Sequence, residues 1–189
     1  MRNIEFIMME SQHCQNISLN LALDTQRMRP LIKGLKYNEK LVELNLSSNK
    51  LDDAGTTELC ASLKTLLNLQ VLNLSNNRLT SKFIEALETC EMMLPSLKKL
   101  HLSFNPLGDS CASSVIRLCR QWVFSLEELY LSSCLLTSKF WLANKADWQS
   151  LLEERQSLKM VDLSHNYFGK DLNIGEPEAT GGHAVLVLS

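Results

Sequence analysis

Basic excess, chain-breaking residues and motifs of known chemistry are all scarce in this sequence. The 189 residues carry a formal net charge of −2, so the overall field does not draw in a phosphate backbone and no direct nucleic-acid contact is expected. Seven glycines and four prolines are few, and 45% of the residues are hydrophobic, which argues against a disordered chain. No run of 18 apolar residues occurs, so no membrane-spanning helix is expected. The apolar stretch Phe6–Met9 near the N-terminus is too short for a signal-peptide core.

The six cysteines (Cys14, Cys60, Cys90, Cys111, Cys119, Cys134) include no Cys-x-x-Cys pair and lack the flanking partners of a zinc site. They are expected to be free and mostly buried, as in a reduced, intracellular protein. The sequons at Asn16, Asn45 and Asn73 then read as by-products of a repeated phrase rather than glycan sites. There is no phosphate loop, no Rossmann fingerprint, no His-Glu-x-x-His and no nucleophile elbow. His13, His101, His165 and His183 are scattered, so no metal site and no cofactor are expected. Ser164-His165 beside Asp162 resembles a triad only on paper, because adjacent strand residues face opposite ways. No catalytic residue is assigned, and the chain is expected not to be an enzyme.

What is abundant is leucine: 37 residues, about a fifth of the chain. Most fall in fixed slots of a phrase, Leu-x-x-Leu-x-Leu-x-x-Asn-x-Leu, and of the helices between its copies; the phrase begins at Leu41, Leu69, Leu97, Leu126 and Leu158, with spacings of 28, 28, 29 and 32 residues. This is the leucine-rich-repeat signature. Leu44 and Leu46, two apart, point the same way from a short strand into the interior. The polar slot reads Asn49, Asn77, Asn105, Cys134, Asn166, a ladder whose amide side chains can both donate to and accept from the bending backbone. Cysteine in that slot offers fewer hydrogen bonds. Leu59, Leu63 and Leu66, like Val115, Leu118 and Cys119, have helical spacing, and Asp52-Asp53 and Gly108-Asp109 place acceptors where helices start. The predicted fold is an α/β solenoid, a ribonuclease-inhibitor-like horseshoe with a parallel concave sheet and convex helices.

Residues 1–40 are expected to hold one degenerate repeat, because Leu31 and Leu35 lie 28 residues before Leu59 and Leu63. Residues 41–169 carry the five strand words, the last without its helix. Residues 170–189, with Pro177, Gly181 and Gly182 and the apolar end Ala184–Leu188, read as a disordered or non-native tail. Solenoids need polar caps, so the sequence reads as a section of a longer solenoid.

The positions predicted to face the concave side are Asn45, Asn73, His101, Tyr130 and Asp162. Beside them run Ser47, Ser75, Ser103, Ser132 and Ser164, then Ser48, Asn76, Phe104, Ser133 and His165. The first two repeats are a bland Asn/Ser surface. The last three concentrate Lys98, Lys99, His101, Phe104, Tyr130, Asp162 and His165, an aromatic pair flanked by charges, which are the candidate partner-binding residues. Against that stands the plainer reading that Phe104 packs under a loop. Glu85, Glu88, Glu91 and Asp109 are expected to offset Lys98-Lys99. Arg78, following Asn77 on a loop, leaves open a GTPase-activating role through an arginine finger.

The segment Leu100-His-Leu-Ser-Phe-Asn105-Pro-Leu-Gly-Asp-Ser-Cys111 resembles a repeat of the tonsoku-like family. So does Leu129-Tyr-Leu-Ser-Ser-Cys134 with the elongated Ser138-Lys-Phe-Trp-Leu-Ala-Asn-Lys-Ala-Asp-Trp148, returning through Leu158 to Gly169. The resemblance implies a nuclear, chromatin-associated scaffold for replication-fork repair by homologous recombination. It also implies docking of a repair partner named for methyl methanesulfonate sensitivity. Histone reading belongs to ankyrin repeats that these 189 residues do not contain. A generic intracellular sensor module of the NOD-like-receptor type stays open as the alternative. A ribonuclease-inhibitor role fits less well, since the regular cysteine-rich alternation of that class is lacking.

Overall fold

A computed structural model describes residues 13–89, 94–121, 125–154, 157–169 and 185–188. Seven three-residue strands form one parallel sheet in chain order: β1 Asn16–Ser18, β2 Glu43–Asn45, β3 Val71–Asn73, β4 Lys99–His101, β5 Glu128–Tyr130, β6 Met160–Asp162 and β7 Val185–Val187. Ile17, Leu44, Leu72, Leu100, Leu129, Val161 and Leu186 lie side by side as register partners. The repeat period is thus the length of chain needed to return to the same register.

Helices occupy the return path: α1 Thr25–Leu35, α2 Thr56–Leu63, α3 Ser81–Thr89, α4 Ala112–Gln121, α5 Ser138–Leu142 and α6 Lys145–Glu154. Their apolar sides close one continuous core with the inward leucines. Leu44, Leu46, Leu72 and Leu74 are fully buried there, as are Phe140, Trp141 and Trp148 from the longest repeat. That repeat spends its extra residues on a second helix, whose Trp148 stacks on Trp141 at 5.8 Å. Among the described cysteines, Cys60, Cys111, Cys119 and Cys134 are buried and Cys14 is exposed, and no disulfide links any of them; Cys90 lies outside the described residues.

The ladder binds each repeat to the one before it. Asn77 Nδ2 donates to Leu74 O and to Leu46 O of the preceding repeat, both at 3.0 Å, while its Oδ1 accepts from Leu51 N at 3.0 Å. Asn105 repeats the pattern with Leu102 O, Leu74 O and Leu79 N, Asn49 with Leu46 O, Leu19 O and the N–H groups of Leu21 and Leu23. Asn166 does so with Leu163 O, Leu131 O, Cys134 N and Leu136 N. Cys134 Sγ reaches only Leu102 O (3.4 Å) and Ser132 O (3.5 Å). What cysteine loses is the acceptor: Leu107 N, which an asparagine here would satisfy, turns instead to Asn105 O at 2.8 Å.

In the N-terminal segment β1 lies in register with β2. Two sequence expectations differ from the structure. Within the expected disordered tail, Val185–Val187 form β7 on β6, because the continuous apolar run Ala184–Leu188 can satisfy the free edge of β6; residues 170–184, and with them the missing helix, lie outside the described residues. Asp109 does not cap its own helix; its carboxylate accepts from the N–H and hydroxyl of Thr137, one repeat later, and Asp53 likewise accepts from the N–H and hydroxyl of Thr80. Asp52 does meet the expectation, accepting from Ala54 N at 3.1 Å.

Candidate protein-interaction face

Because the middle residue of each strand from β2 to β6 is buried, the residues on either side of it project from the concave face. One row runs Glu43, Val71, Lys99, Glu128, Met160; the next runs Asn45, Asn73, His101, Tyr130, Asp162. In the second row, asparagine and aspartate have a local job. Asn45, Asn73 and Asp162 each accept, through Oδ1, the backbone N–H two residues on (Ser47, Ser75 and Ser164, at 3.0, 3.0 and 2.9 Å). This Asx turn steers the chain off the strand.

His101 and Tyr130 cannot make that turn, and they do something else. Their rings stack with centroids 4.1 Å apart and planes 8° from parallel. Tyr130 Oη donates to Glu128 Oε2 at 2.6 Å, and Lys99 Nζ lies 3.0 Å from Glu128. The hydrogen bond from Tyr130, then the Lys99 ammonium, hold the Glu128 carboxyl below its usual range against the effect of burial. Burial, then the bond to Glu128, push the Tyr130 phenol up to about 12. Burial also lowers the His101 pKa from 6.5, so the imidazole is neutral at pH 7 and adds no charge to the stack.

The basic doublet is neutralised, but by other residues than expected. Lys98 lies 3.9 Å from Glu127, whose carboxylate also takes Lys159 at 2.6 Å. Glu88 pairs with Arg117 on the convex side instead, and Asp109 holds Thr137. The pairing runs across strands about one repeat apart, so neighbours in sequence were the wrong place to look.

At the exit from the strands, the residue before each rung has a left-handed backbone: Ser48 (φ 55°), Asn76 (53°), Phe104 (58°), Ser133 (53°) and His165 (55°). Serine and asparagine fit such a bend; a bulky aromatic is out of place there. Phe104 is 57% exposed, so it does not pack under a loop. His165 is exposed as well. The serine row that was expected to face outward is instead partly structural: Ser103, Ser132 and Ser164 are buried, with Ser132 N donating to Ser103 Oγ and Ser164 Oγ to Ser132 Oγ. Ser164 therefore turns to Ser132, Asp162 Oδ1 to the backbone, and the three do not assemble as a triad.

Two contributors went unrecognised in the sequence. Leu135 (50% exposed) and Tyr167 (68% exposed) follow their rungs directly and continue, with exposed Pro106, the apolar edge begun by Phe104. The same slot in the first two repeats holds Lys50 and Arg78; comparing that slot between repeats would have found them. Among the described residues, no group of three His, Cys, Asp or Glu could hold a metal ion, and no helix is long and apolar enough to cross a membrane.

Comparison with known proteins agrees with this architecture. Residues 37–60 match the family described as Leucine Rich repeat, and residues 67–113 match Leucine Rich repeats in two copies. Tonsoku-like protein of Mus musculus is 37% identical over 153 residues, covering 79% of this chain and 11% of that protein. Ribonuclease inhibitor of Sus scrofa is 32% identical over 154 residues, covering 78% of this chain and 32% of that protein. The chain thus spans about a tenth of the tonsoku-like protein and a third of the inhibitor. Among solved structures, the leiomodin-1 actin-binding site 2 superposes with a TM-score of 0.53 at 16% identity, over 82% of this chain and 96% of that one.

Proposed function

We propose that this chain, a leucine-rich-repeat solenoid of the ribonuclease-inhibitor type whose sequence is similar to the tonsoku-like proteins, is the protein-docking segment of a nuclear scaffold for replication-fork repair. The repeats make it a protein-interaction module, and the fold and relatives point to a non-catalytic one. The finer reading places a repair partner of the methyl-methanesulfonate-sensitivity type on the concave face of repeats three to five. Lys98, Lys99, His101, Phe104, Tyr130, Asp162 and His165 line that face, and Leu135 and Tyr167 extend it. Histone contact is left to domains outside these residues.

The observation that carries the reading is Phe104. Exposing a phenyl ring costs hydrophobic free energy, and holding it at φ 58° costs a further 1–2 kcal/mol or so. A residue disfavoured on both counts is retained where a partner covers it. The experiment is capture of the recombinant repair partner by the full chain, compared with a Phe104→Ala, Tyr130→Ala double variant. Loss of about tenfold or more in affinity at unchanged folding supports the reading. Equal capture by both chains, or capture by neither, overturns it.

A further inference from the structure

Among the described residues of the concave strands, Glu43 and Asp162 are carboxylates without a basic partner, and of the two only Asp162 lies beside the aromatic stack. Glu127 is taken by Lys98 and Lys159, and Glu128 by Lys99 and the Tyr130 hydroxyl. Asp162, the next member of the row, has no basic partner among the described residues; only Oδ1 is used, by the Ser164 N–H. That bond fixes the carboxylate and leaves Oδ2 for something else.

Its neighbour is equally prepared. His101 lies on β4, Tyr130 on β5 and Asp162 on β6, in direct register. The two rings stack nearly parallel across adjacent strands. Since His101 covers one face of the phenol ring, the opposite face is turned toward β6, the strand that carries Asp162. Glu128 grips the hydroxyl, so the ring is held in place before any ligand arrives. Beyond Asp162 the row ends in the partly exposed Val187 of β7.

The geometry points to an arginine-binding notch between Tyr130 and Asp162, in which a partner's guanidinium stacks on the free face of the Tyr130 ring and pairs with the Asp162 carboxylate. Arginine fits better than lysine because its flat cation can lie on a ring and bond a carboxylate in the same plane. Its methylene stem would lie toward Val187, and the neutral imidazole behind the stack does not repel it. The partner is accordingly a segment with an arginine placed to enter the face while an apolar neighbour meets Phe104. This inference rests on the reading of the concave face as a protein-docking surface, and the test separates the two.

Random linear peptides displayed on phage are panned against the full chain, and the binders are synthesised with each arginine in turn replaced by citrulline, its neutral isostere. The chain is tested as wild type, Asp162→Asn and Phe104→Ala. Asparagine preserves the turn at residue 162, as Asn45 and Asn73 show in the same slot, so the variant removes charge without removing structure. Binders that carry an anchor arginine, and weaken at least about tenfold with either citrulline or Asp162→Asn, establish the notch. Binders lost in Phe104→Ala but indifferent to citrulline and to Asp162→Asn overturn the notch and leave the docking surface standing. Binders indifferent to all three changes, or no binders at all, overturn both.

Discussion

The repeats built on β2 and β3 and those built on β4 to β6 share their inward apolar slots, yet the later ones depart at several of the remaining slots from the residue that the local backbone favours. In the first pair, each exposed position carries the residue that its backbone prefers. Asn45 and Asn73 close Asx turns, Ser48 and Asn76 sit in the left-handed bend, and Asn49 and Asn77 make full ladder rungs. In the later repeats the same slots hold His101 and Tyr130, then Phe104, then Cys134. Each gives up a local hydrogen bond or a comfortable backbone; His101 and Tyr130 form a stacked aromatic platform with Phe104 at its apolar edge, while Cys134 stays buried. The central strand positions stay apolar and buried in both regions, so the departures on the concave side mark a surface rather than a fold requirement.

The largest effect that tests this contrast lies on the ladder. Asn77→Ala would orphan the buried Leu51 N and take one of two donors from each of Leu46 O and Leu74 O, which keep Asn49 and Asn105, a loss of about 3 kcal/mol from roughly 1–3 kcal/mol for the orphaned group and about 0.5–1 kcal/mol for each bond given up. Cys134→Ala gives up two weak thiol bonds and a small volume, about 1 kcal/mol. Urea unfolding of the two variants against wild type measures both. If the cysteine rung proves as costly to remove as the asparagine one, the later repeats are as optimised as the early ones and the contrast fails.

Phe104→Asn copies the early repeats at the bend and separates stability from binding. Asparagine tolerates the left-handed backbone and needs no cover from water. The variant should therefore unfold at higher urea, by about 1 kcal/mol, while partner capture falls. A variant that loses stability would mean that the phenyl ring is held by the fold itself.

How much of this the sequence displayed follows from the range of each interaction. The core was legible because every leucine slot recurs at a fixed spacing, and so was α1, through Leu31 and Leu35. The concave pair His101 and Tyr130 was legible because strand alternation decides which way a residue faces. The strand β7 was not, since its Leu186-Val-Leu188 pair stands without the leucine three residues earlier that opens the other copies, His183 being there instead. Nor were the ion pairs of Lys98 and Lys99: their partners lie about a repeat away, and the lateral offset of side chains decides which acid is met. The Asp53–Thr80 and Asp109–Thr137 links escaped for the same reason. The bend at Phe104, by contrast, could have been read from Ser48 and Asn76, which hold its slot in the first two repeats.

The smallest effect in the series is also the one that isolates the aromatic platform. Burial lowers the pKa of His101 below the 6.5 of a free imidazole. Between those two values the unfolded chain binds a proton at this position that the folded chain does not, so folding is penalised as pH falls below about 6.5, and the penalty stops growing once pH passes the folded value. The wild-type unfolding free energy should therefore decline over that interval. His101→Asn, which gives β4 the residue found at the same position of β2 and β3, removes this contribution and should flatten the decline. Carboxylates titrate in both proteins, so the informative quantity is the difference between the two curves. A difference that widens steadily from pH 7 downward and then levels identifies the His101 stack as its source. Parallel curves would mean that the imidazole is as well hydrated in the folded protein as in the unfolded chain, and that the Tyr130 ring does not shield it.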